Sequence, residues 1–558
     1  MTTLCLAGVG IPLWFAVAAG TVGNPSNDDW VYMRAAASLF RTGRIDMPGH
    51  TTASVGQLVL VQPFLWLSGG SPWAFTAFGL FMALIGVVST FLLARRFVGT
   101  GAAVMVALLI VAFPGFVRES ATFMTDVPAY ALSLVCLLLG TSWLRGEGRR
   151  VTLLASLGAG VLAVSIREFA IAAPAAILVA AWARSRANQR VWLATVSGTF
   201  GVAVVGVLVV AASLPGHGTP LALNLTQIGL LGPAFSTLSA VVLPAAVLGI
   251  GRRTATMRPE HLLLGAAFGC LVVILPGGPL VGQLWMANGL VGDALLSGTR
   301  DAVIGWPAWA LSEQLAAFAA ILVAALALRW VQGNLAQVTS LQAARAAAIR
   351  VAQSPEAPLV LFLIAYAGEL AVLISFGYFP LDRYLYPMVP PAAILLLRAT
   401  AEPSRLGRRH PLAHASFVWL AASAFAIAAN SFAYDGARDR AGDAAVALGY
   451  DARSVDAGYD WVGYQASGAA NQVSPRYGLT WYDDEFMTDR PCAVVSNSPL
   501  DVAALTLIRI DSSAYRDYLF FGPFEPLYLY GSTADGCPPP PTAGVPHAAD
   551  PEATRRGS

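Results

Sequence analysis

Two adjacent carboxylates, Asp28 and Asp29, sit in the stretch NPSNDDWVYMRAAASLFRTG at 24–43, directly after an apolar run. A carboxylate beside a hydroxyl can take its proton as that oxygen attacks an electrophile. Three later stretches carry acids and arginines of the same kind. RESATFMTDVPAYAL at 118–132 holds Arg118, Glu119 and Asp126, and IREF at 166–169 holds Arg167 and Glu168. GYFPLDRYLYPMVPPAAILLLR at 377–398 holds Asp382, Arg383, Tyr384 and Tyr386. The planar fork of arginine suits phosphate, and a guanidinium stabilises charge that grows on a leaving phosphate. Each group also has a plainer reading. Asn27 can cap a helix with apolar positions Val31, Ala35, Ala36, Leu39 and Phe40 that stops at Gly43, placing both acids in a first turn. Trp30 then serves as an interfacial anchor. Asp126 follows Thr125 and precedes Pro128, a good helix start in itself. Arg118 with Glu119, and Asp382 with Arg383, can simply neutralise each other. No CxxC or Cys/His spacing points to a metal site.

What must position these groups is a membrane. The 558-residue chain is 56% apolar and only 12% charged, about half the charge of a soluble globular protein. Repeated apolar runs of about 20 residues predict a polytopic α-helical membrane protein. Spans are expected near 3–22, 72–94, 102–117, 127–144, 151–166, 168–183, 192–213, 226–250, 260–275, 310–330, 357–377, 386–400 and 412–431. The first is read as a retained span, because it lacks a basic segment before it.

The loops between these spans alternate in charge. One set carries Arg95 and Arg96, Arg145, Arg149 and Arg150, Arg184, Arg186 and Arg190, Arg252, Arg253 and Arg258, Arg345 and Arg350, and Arg405, Arg408 and Arg409. The positive-inside rule makes that face cytoplasmic. The N-terminus is then inside, while the 23–71 loop and everything beyond about 432 lie outside. Asp28, Asp29, Asp46, Glu119, Asp126, Glu168, Asp293, Asp301 and Asp382 all fall on the outer face. Such a gathering of acids and a few arginines looks like a site.

The expected modules are a membrane module over 1–431, with interfacial helices in its 23–71 loop, an outer α/β domain over 432–537 and a disordered tail over 538–558. In the outer domain DRAGDAAVALGYD has helical spacing, and PCAVVSNS and YLFFGPFEPLYLYGS read as strands. The aromatics of SVDAGYDWVGYQ at 454–465 are either an acceptor-docking face or core. Outside the cell, Cys492 and Cys537 are free to pair.

The order of these stretches resembles the polytopic GT-C glycosyltransferases that use a polyprenyl-phosphate sugar. That group includes the protein O-mannosyltransferases and the lipid A aminoarabinose transferases. DDWVY is similar to their D-E-x-x-Y opening, with Asp28 at the first acid, Asp29 at the second and Tyr32 at the tyrosine. FMTDVP at 123–128 and RYLYPMVPPAAILLL at 383–397 follow in the family's order; the second acid departs from it, being Asp where the mannosyltransferases have Glu. The resemblance covers about residues 1–430 and implies a metal-independent, inverting single displacement with no cofactor. It makes Asp28 the base, with Asp29 and Asp126 orienting base or acceptor. It puts donor phosphate on Arg383, and on Arg118 or Arg167. Tyr32, Trp30, Glu119, Glu168, Asp382 and Tyr384 would line the substrates. The implied partners are a polyprenyl-phosphate-linked sugar donor and a hydroxyl acceptor on a cell-envelope glycan, lipid or protein. The implied setting is the bacterial plasma membrane.

Other functions fit less well. A net charge of +2 without an aromatic-flanked basic cluster is too small to suggest a nucleic-acid binder. With no lysine in the chain, a Walker phosphate loop and lysine Schiff-base chemistry are excluded. A flippase or lipid-linked sugar transporter should show internal repeats or charges along a path; only Glu369, in mid-span, speaks for it. A glycan polymerase or ligase would use outer arginines and a histidine, but the 276–309 loop has Asp293, Arg300 and Asp301 without one. A non-catalytic scaffold leaves the outer acids unexplained.

Overall fold

A computed structural model describes residues 2–47, 54–214, 223–250, 259–274, 306–335, 340–378, 380–398, 411–466 and most of 482–539. The 276–309 loop and the expected tail therefore fall almost wholly outside the described residues. Each of the thirteen apolar stretches contains a helix. Eight described helices are long and apolar enough to cross a membrane, from Thr2–Ala19 to Pro411–Ala447. The other expected spans are shorter, such as Thr100–Val111 and Val389–Arg398. At 1.5 Å per residue, helices of 10 to 16 residues reach only about 15–24 Å. The protein is a polytopic α-helical membrane protein with a small mixed sheet near its C-terminal end.

Two of the short helices are lengthened by 3-10 turns: Glu168–Ile171 leads into Ala172–Arg184, and Asp382–Met388 into Val389–Arg398. Tight turns of this type commonly open helices. Here they carry the charged residues of both stretches to the mouth of the bundle. Away from the mouth, Ala187–Ser213 exposes Val202, Val205 and Val209, the surface a helix presents to hydrocarbon.

The 23–71 loop folds into helices Asp29–Thr42, Val55–Leu60 and Gln62–Ser68. Gly43 ends the first in the left-handed conformation, φ 70°, with its N–H donating to the Leu39 carbonyl, the usual glycine stop. The first turns of this helix bury Trp30, Val31, Tyr32, Met33, Ala35 and Ala36. The first helix of the loop is thereby part of the packed protein, while the end of its last turn, and Trp66 and Leu67 of the third helix, are exposed. Gln57 donates to the Phe123 carbonyl at 2.5 Å, and Gly56 N to the Ser165 carbonyl at 3.0 Å, tying it to two other loop ends.

Pro411–Ala447 is one continuous helix of 37 residues, about 55 Å long at the α-helical rise. The module boundary expected at 431–432 falls inside it. Asp435, Arg438 and Asp439 end the hydropathy signal there, while the helical period carries on. Beyond it lies a four-stranded sheet in the order β1-β2-β4-β3: β1 Val455–Asp456, β2 Ala493–Ser496, β3 Leu505–Arg516 and β4 Phe524–Ser532. β1 runs parallel to β2, and the other pairs are antiparallel. PCAVVSNS and the later half of YLFFGPFEPLYLYGS form β2 and β4 as expected. β3 lies on an edge, is mostly solvated and is broken by register shifts at Leu507/Arg509 and Asp511/Tyr515. Cys492 and Cys537 form a disulfide with Cα atoms 5.3 Å apart.

One close approach sets the loop geometry that follows. A Cβ on Gly79, in the Trp73–Arg95 helix, would lie 2.5 Å from the Thr122 carbonyl oxygen and 2.7 Å from that of Ser120. Backbone oxygens cannot swing away as a side chain can. Gly79→Ala should therefore displace the 120–122 segment and cost about 1–3 kcal/mol, read as a lower melting temperature in detergent; an unchanged melting temperature would show the loop to be loosely seated.

Candidate active site

Of the acids expected on the outer face, Asp28, Glu119 and Asp126 come together around Arg383, while Asp293 and Asp301 lie outside the described residues. Asn27 is the one non-glycine residue at positive φ among the described residues, at 55°, a conformation its short polar side chain tolerates. It is a turn residue and not the cap of the following helix. Asp28 takes the cap position, yet its side chain makes no capping bond. Its Oδ1 accepts the Tyr459 hydroxyl at 2.7 Å and its Oδ2 lies 3.8 Å from Arg383 Nη2. Asp29 turns the other way. It is fully buried and accepts the backbone N–H groups of Ser26 at 2.5 Å and Phe123 at 3.0 Å. Burial pushes its carboxyl well above the usual range, against the pull of those two donors. One of the adjacent acids thus clasps the 118–125 segment to the first loop, and the other opens into the cluster.

Arg383 is the centre of that cluster. Its Nη1 lies 3.4 Å from Glu119 Oε1, its Nε 3.4 Å from Asp126 Oδ2, and its Nη2 faces Asp28. Asp126 Oδ2 also accepts Arg167 Nη2 at 3.2 Å. The Arg167 guanidinium stands 5.7 Å from the Phe169 ring centre and 5.4 Å from that of Tyr384. Arg383 meets the same Tyr384 ring at 5.9 Å, so one aromatic lies against two cations. Tyr32 and Glu168 both add to the negative surroundings of Arg167. Asp382 accepts the Arg383 backbone N–H at 2.8 Å, which fixes the turn that aims Arg383.

Exposure separates the acids. The Asp28 side chain is 29% exposed, against 2–3% for Asp126, Glu119 and Arg383. Burial, then the neighbouring Asp126 carboxylate, push Glu119 up to about 8 despite Arg383 beside it. At neutral pH Glu119 then mostly keeps its proton. Burial works against the charge on Arg383, but the Asp126 carboxylate outweighs it and holds the guanidinium ionised. Glu119 Oε2 and Asp126 Oδ1 are buried without a hydrogen-bond partner among the described residues. No three His, Cys, Asp or Glu side chains among the described residues form a metal cage; the acids gather on guanidiniums.

Besides Asp29, the expected site residues Arg118 and Trp30 stand outside the cluster. Arg118 Nη2 pairs with Asp435 Oδ2 at 2.8 Å and donates to Ser26 Oγ at 2.8 Å. Trp30 is wholly buried, its ring 5.1 Å from Phe486 and 6.2 Å from Tyr459, with Gly463 pressed against its face. Arg118 belongs to a second buried network that the sequence reading did not anticipate. Ser26 Oγ donates to Asp435, Asn24 Nδ2 donates to Asp439 at 2.7 Å, and Arg438 pairs with Asp460. Asp435, Arg438 and Asp439 lie three and four residues apart on one helix face, which was the available signal. Tyr459 is the other unanticipated member, on the helix Tyr459–Gln465.

No protein-family model and no curated protein matches the chain. Among solved structures, 95% of the chain aligns with 99% of apo ArnT from Cupriavidus metallidurans, at 14% identity and a TM-score of 0.39. The same protein bound to undecaprenyl phosphate aligns over 94% of this chain and 99% of its own, at 13% identity and a TM-score of 0.40. The oligosaccharyltransferase AglB from Archaeoglobus fulgidus, with an inhibitory peptide and a dolichol-phosphate, aligns over 78% of this chain and 57% of its own, at 13% identity and a TM-score of 0.37.

The position of Glu119 has a consequence for stability. A carboxyl whose folded value stands at about 8 rather than 4.5 stabilises fully below 4.5, and that contribution is lost as pH rises through 8. Melting temperature should therefore fall more steeply between about pH 5 and 8 in the unaltered protein than in Glu119→Gln, which cannot ionise. Parallel slopes would assign the pH response to other groups.

Proposed function

We propose that this chain is an integral-membrane glycosyltransferase. It moves a sugar from a polyprenyl-phosphate donor to a hydroxyl of an envelope glycan, lipid or protein at the outer face. The observation that carries the reading is the Asp28 carboxylate. It is the open member of an otherwise buried acid cluster, declines its own helix cap and stands beside a fixed guanidinium. Capping and dipole compensation account for none of these features. The order DDWVY, FMTDVP, RYLYPMVPPAAILLL supports the same family of reactions.

In this reading the acceptor hydroxyl meets Asp28 Oδ2, the oxygen that Tyr459 leaves free. As the acceptor oxygen forms its bond to the anomeric carbon, the proton passes to Asp28. The bond from that carbon to the donor phosphate breaks, and its electron pair leaves on the phosphate. Phosphate is a competent leaving group, so no general acid is needed. The growing charge is met at the Nη2 edge of Arg383, whose 3.8 Å approach to Asp28 is the loosest of its contacts. Arg167, joined to Arg383 through Asp126, adds a second positive charge. Glu119, holding its proton, keeps the cluster from repelling an anion. The lipid tail stays among the spans, and one displacement inverts the anomeric centre. Arginine asymmetry between the loops supports a cytoplasmic N-terminus, and the Cys492–Cys537 disulfide suits an extracytoplasmic C-terminal part. A bacterial plasma membrane is the setting that follows.

The test is turnover of a panel of undecaprenyl-phosphate-linked mannose, glucose and aminoarabinose, with total envelope lipid and glycan as acceptor. The unaltered protein should release undecaprenyl phosphate from at least one donor. Asp28→Asn should slow that release by about 10²–10⁴-fold while still binding the donor. Release at the normal rate by the variant would remove Asp28 from the chemistry.

A further inference from the structure

A residue of the C-terminal part reaches the cluster. Tyr459 is 431 positions from Asp28 in the chain, and its hydroxyl donates to Asp28 Oδ1 at 2.7 Å. A carboxylate free to turn about its Cβ–Cγ bond presents either oxygen to an acceptor. With Oδ1 held by a phenol and Oδ2 only loosely faced by Arg383 at 3.8 Å, the orientation is chosen in advance, and orientation of this kind is worth rate. We propose that the C-terminal part completes the active site through Tyr459, a positioning residue that fixes the Asp28 carboxylate for the transfer reaction. The inference rests on the transferase reading of Asp28.

The phenol is built to stay where it is. Its ring packs 5.9 Å from Tyr482, 6.1 Å from Phe486 and edge-on to Trp30 at 6.2 Å. The helix it opens is held from both sides: the next residue, Asp460, pairs with Arg438 on the long C-terminal helix, and the Gly463 carbonyl accepts Arg34 Nη1 from the first loop at 3.0 Å. A Cβ on Gly463 would lie 2.2 Å from the Trp30 ring, so the helix sits as close to the first loop as the backbone allows. Burial, then the Asp28 charge, push the Tyr459 hydroxyl well above its usual range. It is a donor to Asp28 and not a competing base. The burial of Trp30 acquires a purpose here: it is the surface against which the C-terminal helix is docked so that Tyr459 arrives at the acid.

Tyr459→Phe in the full-length protein removes the hydroxyl and keeps the ring. With the donor of the panel that the unaltered protein turns over fastest, kcat should fall about 10–100-fold, the loss expected for one hydrogen bond to a charged carboxylate. Donor KM and melting temperature should stay unchanged. In an Asp28→Asn background the same substitution should cause no further loss. An unchanged kcat in Tyr459→Phe, alongside an inactive Asp28→Asn, would reduce Tyr459 to packing and leave the transferase reading standing. A fall in melting temperature that accounts for the lost rate would also overturn the positioning role. Normal turnover by Asp28→Asn would instead remove the transferase reading through Asp28, and the role of Tyr459 with it.

Discussion

Much of this structure depends on one buried cation. Arg383 is 3% exposed at the mouth of an apolar bundle, where an unpaired charge would cost several kcal/mol. A guanidinium in that position must be surrounded by acids, and no single segment of the chain can supply them in the right directions. Asp28 comes from the first loop, Glu119 from the short helix Phe116–Ser120 and Asp126 from the first turn of the following span. The need to satisfy one cation gathers the first loop and the 116–126 stretch around the segment that carries Arg383, three parts of the chain that are otherwise far apart. Arg167 brings in a fourth through Asp126.

The gathering is uneven, and the unevenness is what makes chemistry available. Glu119 and Asp126 are sealed, and Asp29 is spent on two backbone donors. Asp28 keeps one oxygen loosely engaged and more than a quarter of its side chain exposed. A fully closed ion cluster would be a structural plug. A cluster with one open carboxylate beside a fixed positive charge offers a proton acceptor and an anion contact in the same place. The second buried network, built on Arg118 and Arg438, has no such opening. Its side chains hold Ser26, Asp435, Asp439 and Asp460 at a few per cent exposure and join the first loop to the long C-terminal helix. In the proposed reading the first network serves the reaction, while the second joins the first loop to the long C-terminal helix.

The elements that carry these groups were legible because they follow composition and period. Apolar runs marked the helices, Gly43 marked the end of the first loop helix, and short apolar stretches marked β2 and β4. Lateral pairing was not legible. Arg118 and Glu119 are neighbours in sequence, but on a helix consecutive side chains diverge. In the fold Arg118 reaches Asp435, 317 positions away, and Glu119 meets Arg383, 264 positions away. Hydropathy placed a boundary near residue 431 because charges begin there, although the backbone of Pro411–Ala447 continues as helix. β3 escaped notice because an edge strand interrupted by Asp511, Ser512 and Ser513 has no buried face to alternate. Tyr459 stands in a stretch whose aromatics suit either a docking face or a core; its ring, partly buried, packs against the core, and its hydroxyl reaches Asp28.

The central claim is that Asp28 accepts a proton and never bonds to sugar. Its most direct test is the anomeric configuration of the transferred sugar, followed by NMR of the first product formed from a donor of known configuration. The account predicts inversion, as a single displacement by the acceptor requires. Retained configuration would mean a covalent sugar–carboxylate intermediate, and would contradict the assignment of Asp28 as the base.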